Sequence, residues 1–519
     1  MVRRLITLVF AIILIGAGAG EAQEKPRSLT LEECVLSALK NNLGVAVQVL
    51  NPAISDYSVS VAREKFMPGL TLAYQKNNNN SASYSWLNAS GSIITKYASY
   101  SVNLNQAIPT GGSLSVALAS YKNDSNQRFQ TINPRYGSTL TLNFTQPLLR
   151  DFGFKMSRRQ ILIAQNNLDI SEKQFTQTLL NTVYQVEQAY WTLVYSIEDL
   201  KVKKQSLKLA QDLLAKNQRA VEIGTMAPLD ILSAQAEVAI READILAAEA
   251  LVQNNQDALK TVINLAEEKQ ARALDIEPVD KPSFEEKQVS LEQSLSEARR
   301  NRPDLQATRV GLMNNELEVS HAKNQLLPGL NLTASYWSPG VSGDQILYLD
   351  NNPLSGVIIG SLPGGSTNAL KDAFNFKYKN WSVGLTLDFP LSNILSRANY
   401  SLARATLEQA QFGLKNQEQQ VLLEITNAVR AVQTNFKRVQ AYKVARELAE
   451  KKLETEQEKL KVGMSTDFIV LTYQRDLATA QGAELRAVID YNLSLANLDK
   501  TQGTTLASKD IKLADYMKR

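Results

Sequence analysis

The chain is poor in the residues that chemistry usually needs. Its 519 residues include one cysteine, Cys34, and one histidine, His321. A single cysteine excludes any intramolecular disulfide. A lone histidine without an evident metal partner reads as an ordinary solvated or packed side chain. No Gly-Lys-Ser/Thr phosphate loop occurs, so any energy must come from a partner. Ser37-Ala-Leu-Lys40 and Ser320-His-Ala-Lys323 fit a Ser-x-x-Lys pattern, but the companion Ser-Asp-Asn and Lys-Thr-Gly motifs are missing, and both are chance matches. Neither sign of charge dominates: 56 Lys and Arg stand against 52 Asp and Glu, a net of +4, which gives no reason to expect a nucleic-acid partner. No apolar run reaches the roughly 20 residues of a membrane helix. These absences argue against an enzyme, and no cofactor or metal is expected.

The N-terminus carries a secretory signal. Met1-Val-Arg-Arg precedes the apolar run Leu5–Ile15, and Ala17-Gly-Ala19 or Gly20-Glu-Ala22 supplies the small residues of a cleavage site. Residues 1–22 are therefore expected to be removed on export. Cys34 lies past this segment inside a helical pattern, where it reads as a small buried side chain and not as a lipid-modified terminus.

What is present is written twice. Leu29-Thr-Leu-Glu-Glu-Cys-Val-Leu-Ser-Ala-Leu-Lys-Asn-Asn returns as Val289-Ser-Leu-Glu-Gln-Ser-Leu-Ser-Glu-Ala-Arg-Arg-Asn-Arg, an offset of 260 (298 − 38 for the shared alanine). The same offset carries Phe66-Met-Pro-Gly-Leu-Thr-Leu onto Leu326-Leu-Pro-Gly-Leu-Asn-Leu. Such repeats decide architecture before any local reading does. The first copy spans 23–270: a helix (31–66), strands over about 68–147, a long helix over 155–222, a tip, and a helix over 229–264. A linker, 271–290, leads to the second copy, 291–502. It has a helix over 291–326, strands over about 328–389, a long helix over 396–461, a tip and a closing helix (468–499), before a tail of 503–519.

Both copies contain strands with period two. Leu70, Leu72 and Tyr74; Ala98, Tyr100, Val102 and Leu104; Leu114, Val116 and Leu118; and Leu140, Leu142 and Phe144 alternate with Ser, Thr, Asn, Gln and Ala. In the second copy Leu330, Leu332, Ala334 and Tyr336, and Trp381, Val383, Leu385, Leu387 and Phe389, do the same. A soluble sandwich turns the apolar face inward, whereas a membrane barrel turns it toward lipid and lines its lumen with the polar face. Aromatic residues near strand ends favour the membrane reading. The polar stretches Asn77–Thr95 and Ser338–Lys379 read as long surface loops. Four to six strands are too few to close a membrane barrel, so several chains must share one.

The long helices carry heptads. Val183, Val186, Tyr190, Leu193, Ile197 and Leu200 are spaced 3, 4, 3, 4, 3, and Val421, Ile425, Ala428 and Val432 follow the same spacing. Each helix would run about 100 Å. Each then ends at a glycine, in Glu222-Ile-Gly-Thr-Met-Ala-Pro-Leu-Asp and in Lys461-Val-Gly-Met-Ser-Thr-Asp. Glycine suits the left-handed C-cap, and Pro228 or Ser465-Thr-Asp suits the next helix start.

In this order the parts resemble the outer-membrane efflux proteins of the TolC type, over nearly everything from Leu29 to about Gly503. The duplication, the two Leu/Met-Pro-Gly strand starts, Thr145-Gln-Pro-Leu-Leu-Arg-Asp at the strand exit and the two tips carry the likeness. The resemblance implies an α+β membrane protein: a homotrimer whose outer-membrane β-barrel continues as a periplasmic α-helical, coiled-coil barrel. It implies an exit duct of a tripartite efflux or type I secretion system, docked on a periplasmic adaptor protein coupled to an inner-membrane pump. The family's tip motif maps onto Ile223, Gly224 and Thr225, and onto Val462, Gly463 and Met464. Acidic residues that close the tunnel beyond the second tip correspond here to Ile469 and Thr472. Only Asp230 and the nearby Asp467 remain as candidates for a constriction. The first copy also holds an additional hairpin, 97–106 and 113–121, placed either in the membrane wall or outside it. A periplasmic coiled-coil scaffold without a pore is the competing reading.

Overall fold

The computed structural model of the chain describes residues 27–85, 87–88, 91–224, 228–265 and 275–517. The expected signal peptide and Thr225 lie outside them. In chain order the main elements are β1 (Arg27–Leu29), α1 (Leu31–Asn41), α2 (Leu43–Gln48), α3 (Leu50–Glu64), β2 (Gly69–Ala82), β3 (Ser92–Ala107), β4 (Ser113–Ser125), β5 (Ile132–Pro147), α4 (Arg159–Glu222), α5 (Pro228–Val262) and β6 (Ile276–Pro278). The second copy supplies α6 (Leu291–Asn301), α7 (Pro303–Asn324), β7 (Gly329–Tyr348), β8 (Ile358–Leu362), α8 (Ser366–Phe374), β9 (Asn380–Asp388), α9 (Ile394–Lys461) and α10 (Asp467–Gln502). They fall into two compact units: one holds residues up to 52, 171–307 and from 415 onward, the other Ala53–Ile170 and Thr308–Leu414.

The helices expected over 31–66 and 291–326 are not continuous. Each breaks at the equivalent position, Asn42 and Arg302, with ψ near 120° (125° and 119°). At Arg302 the cause is Pro303, which disfavours helical geometry in the residue before it. Asn42 reaches the same conformation without proline, because its side-chain oxygen accepts the N–H groups of Gly44 and Val45 and caps α2. The polar stretch after Tyr74 also differs from expectation. Residues Asn77–Ala82 continue β2, paired with Ser92–Tyr97 of β3, and Ser338–Tyr348 continue β7. Their side chains do not alternate, yet ladder hydrogen bonds need only backbone.

In the first unit the core surrounds α4. Val183, Val186, Tyr190 and Leu193 are fully buried there, with Phe175, Leu179, Cys34, Leu39 and Leu259. Burial, then the charges of Glu33 and Asp280, push the Cys34 thiol up to about 12, so it is an inert core side chain. The Tyr190 hydroxyl accepts the Asp280 N–H at 3.1 Å and lies 2.9 Å from the Asp280 carboxylate, tying the chain after β6 to α4. β6 in turn pairs in parallel with β1. On α9, Val421, Ile425, Ala428 and Val432 are buried. The tail docks here, with Lys509 on Glu187 at 2.7 Å.

The second unit is built on one antiparallel sheet ordered β2-β3-β4-β5-β7. β9 pairs with β7 over Gly329–Trp337, and β8 pairs with it further along, over Gln345–Tyr348. The additional hairpin is β3–β4, paired along nearly its whole length between β2 and β5. Register aligns the alternating apolar positions on one face: Leu70, Leu104, Val116, Leu142, Tyr336 and Trp381 form one cross-strand row, and Leu72, Val102, Leu118 and Leu140 the next. Helix α8 lies against this face beyond the apolar rows. Gly340 makes room for it, since a Cβ there would sit 2.1 Å from the Ala369 carbonyl oxygen. The rings of Tyr336 and Phe376 meet at 5.5 Å beside it.

Candidate functional site: the helical tips and the polar strand face

Two places in the chain carry features that a duct requires. The first is the pair of helix reversals. At the second tip the Gly463 N–H donates to the Leu460 carbonyl at 3.2 Å and the Met464 N–H to the Lys459 carbonyl at 2.9 Å. This is the 5→2 and 6→1 pattern of a Schellman cap, and Gly463 holds the left-handed residue it needs at φ 78°. At the first tip the Gly224 N–H donates to the Val221 carbonyl at 2.9 Å, and φ is again 78°. Among the described residues no heavy atom lies within 4 Å of a Cβ built on either glycine, so the constraint is conformational and not one of space.

The tip side chains face outward. Ile223, Val462 and Met464 are 75%, 70% and 77% exposed, joined by Leu229 and Phe468. Five apolar side chains around two turns form a surface that water covers poorly. Behind them the four helices close on one another. Ala210 and Leu213 of α4, Ala234 of α5, Leu453 of α9, and Val470 and Leu471 of α10 form a single buried cluster. Ser465 donates to Glu456 at 2.6 Å and Lys459 sits on the same carboxylate at 3.0 Å. These two partners hold the Glu456 carboxyl below the usual carboxylate range.

Asp467 is the first residue of α10 and is half-buried. Asp230 falls in the first turn of α5, but its side chain lies outside the described residues. The Ile469 and Thr472 positions are occupied as the sequence implies, with the Thr472 hydroxyl turned back onto the Phe468 carbonyl at 2.9 Å.

Sequence reasoning missed Arg241. It is buried on α5, paired with Glu237 at 3.0 Å, and donates to the Ser206 carbonyl of α4 at 2.6 Å and the Leu471 carbonyl of α10 at 3.2 Å. One guanidinium thus joins three helices from both copies. No motif or spacing in the sequence marks it, because its carbonyl partners lie far away along the chain. Beside it a cleft of about 390 Å³ carries charges of both signs, including Asp199, Lys203, Asp244, Arg475 and Arg486. Among the described residues no group of three or more His, Cys, Asp or Glu is placed to hold a metal.

The second place is the other face of the sheet. Thr71, Asn103, Ala117 and Thr141 form one row, and Asn105, Ser115, Asn143, Ser335 and Ser382 another. Ser335 donates to Asn143 at 2.7 Å, and Asn143 to Ser115 at 3.3 Å. The sheet is therefore apolar on one side and an Asn/Ser/Thr lattice on the other, as in a barrel with lipid outside and water inside. Among the described residues no helix is long and apolar enough to cross a membrane.

Comparison with known proteins agrees with this division. The family described as outer membrane efflux protein matches residues 114–265 and 294–504, one segment in each copy. Solved structures with the same fold include the Campylobacter jejuni CmeC outer membrane channel (17% identical, TM-score 0.64, covering 94% of this chain and 89% of that one). The outer membrane protein VceC of Vibrio cholerae is 17% identical (TM-score 0.62, 91% and 96% covered). The MtrE outer membrane channel of Neisseria gonorrhoeae is 20% identical (TM-score 0.60, 92% and 89%). No curated protein matches the sequence. The match over most of the chain sets aside the pore-free scaffold. The chain belongs to the outer membrane efflux protein family.

Proposed function

We propose that three copies of the chain form the passive exit duct of a tripartite efflux or type I secretion system. The reading rests above all on the two-faced sheet, with an apolar exterior and an Asn/Ser/Thr lumen that asks nothing specific of its cargo. Cargo selection then belongs to the inner-membrane pump, and the duct contributes a wet, non-adhesive path. The exposed Ile223–Gly224 and Val462–Gly463–Met464 tips, with Thr225, are the surface on which a periplasmic adaptor docks, because they combine uncovered apolar side chains with a rigid glycine cap. Replacing Gly224 and Gly463 together by leucine forces a side chain into left-handed backbone, at a cost of about 1–2 kcal/mol each. The expected result is loss of export with trimers intact by mass in detergent; normal export by the double variant would remove the docking assignment.

A further inference from the structure

The first copy brings four long strands to the sheet and the second brings two, β7 and β9, with β8 sharing the β7 edge that β9 uses. β3 and β4 are not an appendage: their Val102 and Leu118 sit in the same apolar row as Leu72 and Leu140. Their Ser101 and Ala119 sit in the polar-face row between Ala73 and Thr139. Among the described residues the sheet ends at β2 on one side and, on the other, at β9 along Gly329–Trp337 of β7 with the short β8 further along, and each uses only one edge. In hydrocarbon an open edge leaves each unpaired N–H and C=O at a cost of several kcal/mol, so both edges must be covered.

The chain on either side of these edges indicates what covers them. β2 follows α3, whose Ile54, Tyr57 and Val61 are 59%, 69% and 68% exposed. In sequence they continue the exposed Leu43, Val47 and Leu50 at a 4, 3, 4, 3, 4 spacing, a heptad-spaced apolar stripe left exposed among the described residues. β9 leads into α9, where Leu391, Ile394, Leu395 and Leu402 are exposed. β2 leaves a helix and β9 enters one, and through the antiparallel pairings between them the two edge strands run in opposite directions. One end of the sheet is thus complementary to the other, which is the condition for a head-to-tail ring of identical copies.

We infer that three copies close a single eighteen-stranded barrel, six strands from each, with the β2 edge and α3 seam of one copy against the β9 edge and start of α9 in the next. A barrel of this size encloses a water-filled lumen and not a side-chain core. The inference rests on the trimeric reading above and adds the strand count and the seam.

The test uses the full chain in a Cys34→Ala background, reconstituted in lipid. Single cysteines replace Val102 in β3 and Leu118 in β4, with Leu142→Cys in β5 and Val383→Cys in β9 as references. Each is labelled with an environment-sensitive fluorophore and challenged with nitroxides attached to lipid tails, while mass is measured in detergent. The expected result is a mass of three copies and equal quenching at all four sites. A mass of three copies with Val102 and Leu118 labels unquenched would place the hairpin outside the wall and overturn the eighteen-stranded barrel. A mass other than three copies would overturn the barrel together with the trimeric reading.

Discussion

At the scale of single residues, the tips depend on backbone geometry and the proposed constriction on charge. Gly224 and Gly463 were legible because a left-handed cap at a helix end singles out one residue type. Asp467 stood out only by position, as the acidic residue nearest the second tip. A carboxylate in the first turn of α10 also offsets the helix dipole, so it has a structural reason to be there as well. If it lines the narrowest part of the duct, Asp467→Ala should raise cation conductance or change cation selectivity in planar bilayers. An unchanged current–voltage curve would leave Asp467 as a helix-start residue and nothing more. Arg241 shows the limit of reading single residues. A buried guanidinium is identified by what surrounds it, and its partners Ser206 and Leu471 are 35 and 230 positions away.

At the scale of elements, the repeats are alike in sequence but not in detail. Thr30 and Ser290 occupy the same repeat position before α1 and α6. The Thr30 hydroxyl accepts from the Glu33 N–H at 3.2 Å, and the Glu33 carboxylate returns a bond to the Thr30 N–H at 2.9 Å. Ser290 makes no side-chain cap bond. Thr30→Ala should therefore cost about 0.5–2 kcal/mol and Ser290→Ala much less, a difference that shows in the urea midpoints of the two variants. Equal losses would mean that the two caps are equivalent in solution. The breaks at Asn42 and Arg302 make the same point: one kink comes from a capping side chain and the other from a proline. The periodic parts of long elements were readable, as the buried Val183–Leu193 stripe illustrates. Strand continuation beyond Asn77 was not, because there both faces are polar and only backbone pairing defines the strand.

At the scale of the whole molecule, several of the most exposed apolar side chains are not scattered. Those of α2 and α3 form a stripe, and those at the start of α9 cluster next to β9. A charge placed in such a stripe costs nothing in the isolated chain but several kcal/mol once it is buried between copies. Ile54→Asp is accordingly expected to give folded chains, with unchanged helical circular dichroism, that no longer assemble at the concentrations where the wild type does. Retained trimers would mean that α3 faces solvent in the assembly.

The sequence by itself determined the duplication, the period of each long element, the glycine caps and the two-sided chemistry of the strands. All are local or repeat with a fixed spacing, and a side chain's neighbours three, four or two positions away suffice to express them. Only the tertiary structure decided that β3 and β4 lie between β2 and β5, that Arg241 joins three helices, and that β2 and β9 are the free edges. Those facts concern which distant segments share hydrogen bonds. Backbone donors and acceptors are the same at every position, so nothing in the order of side chains names their partners.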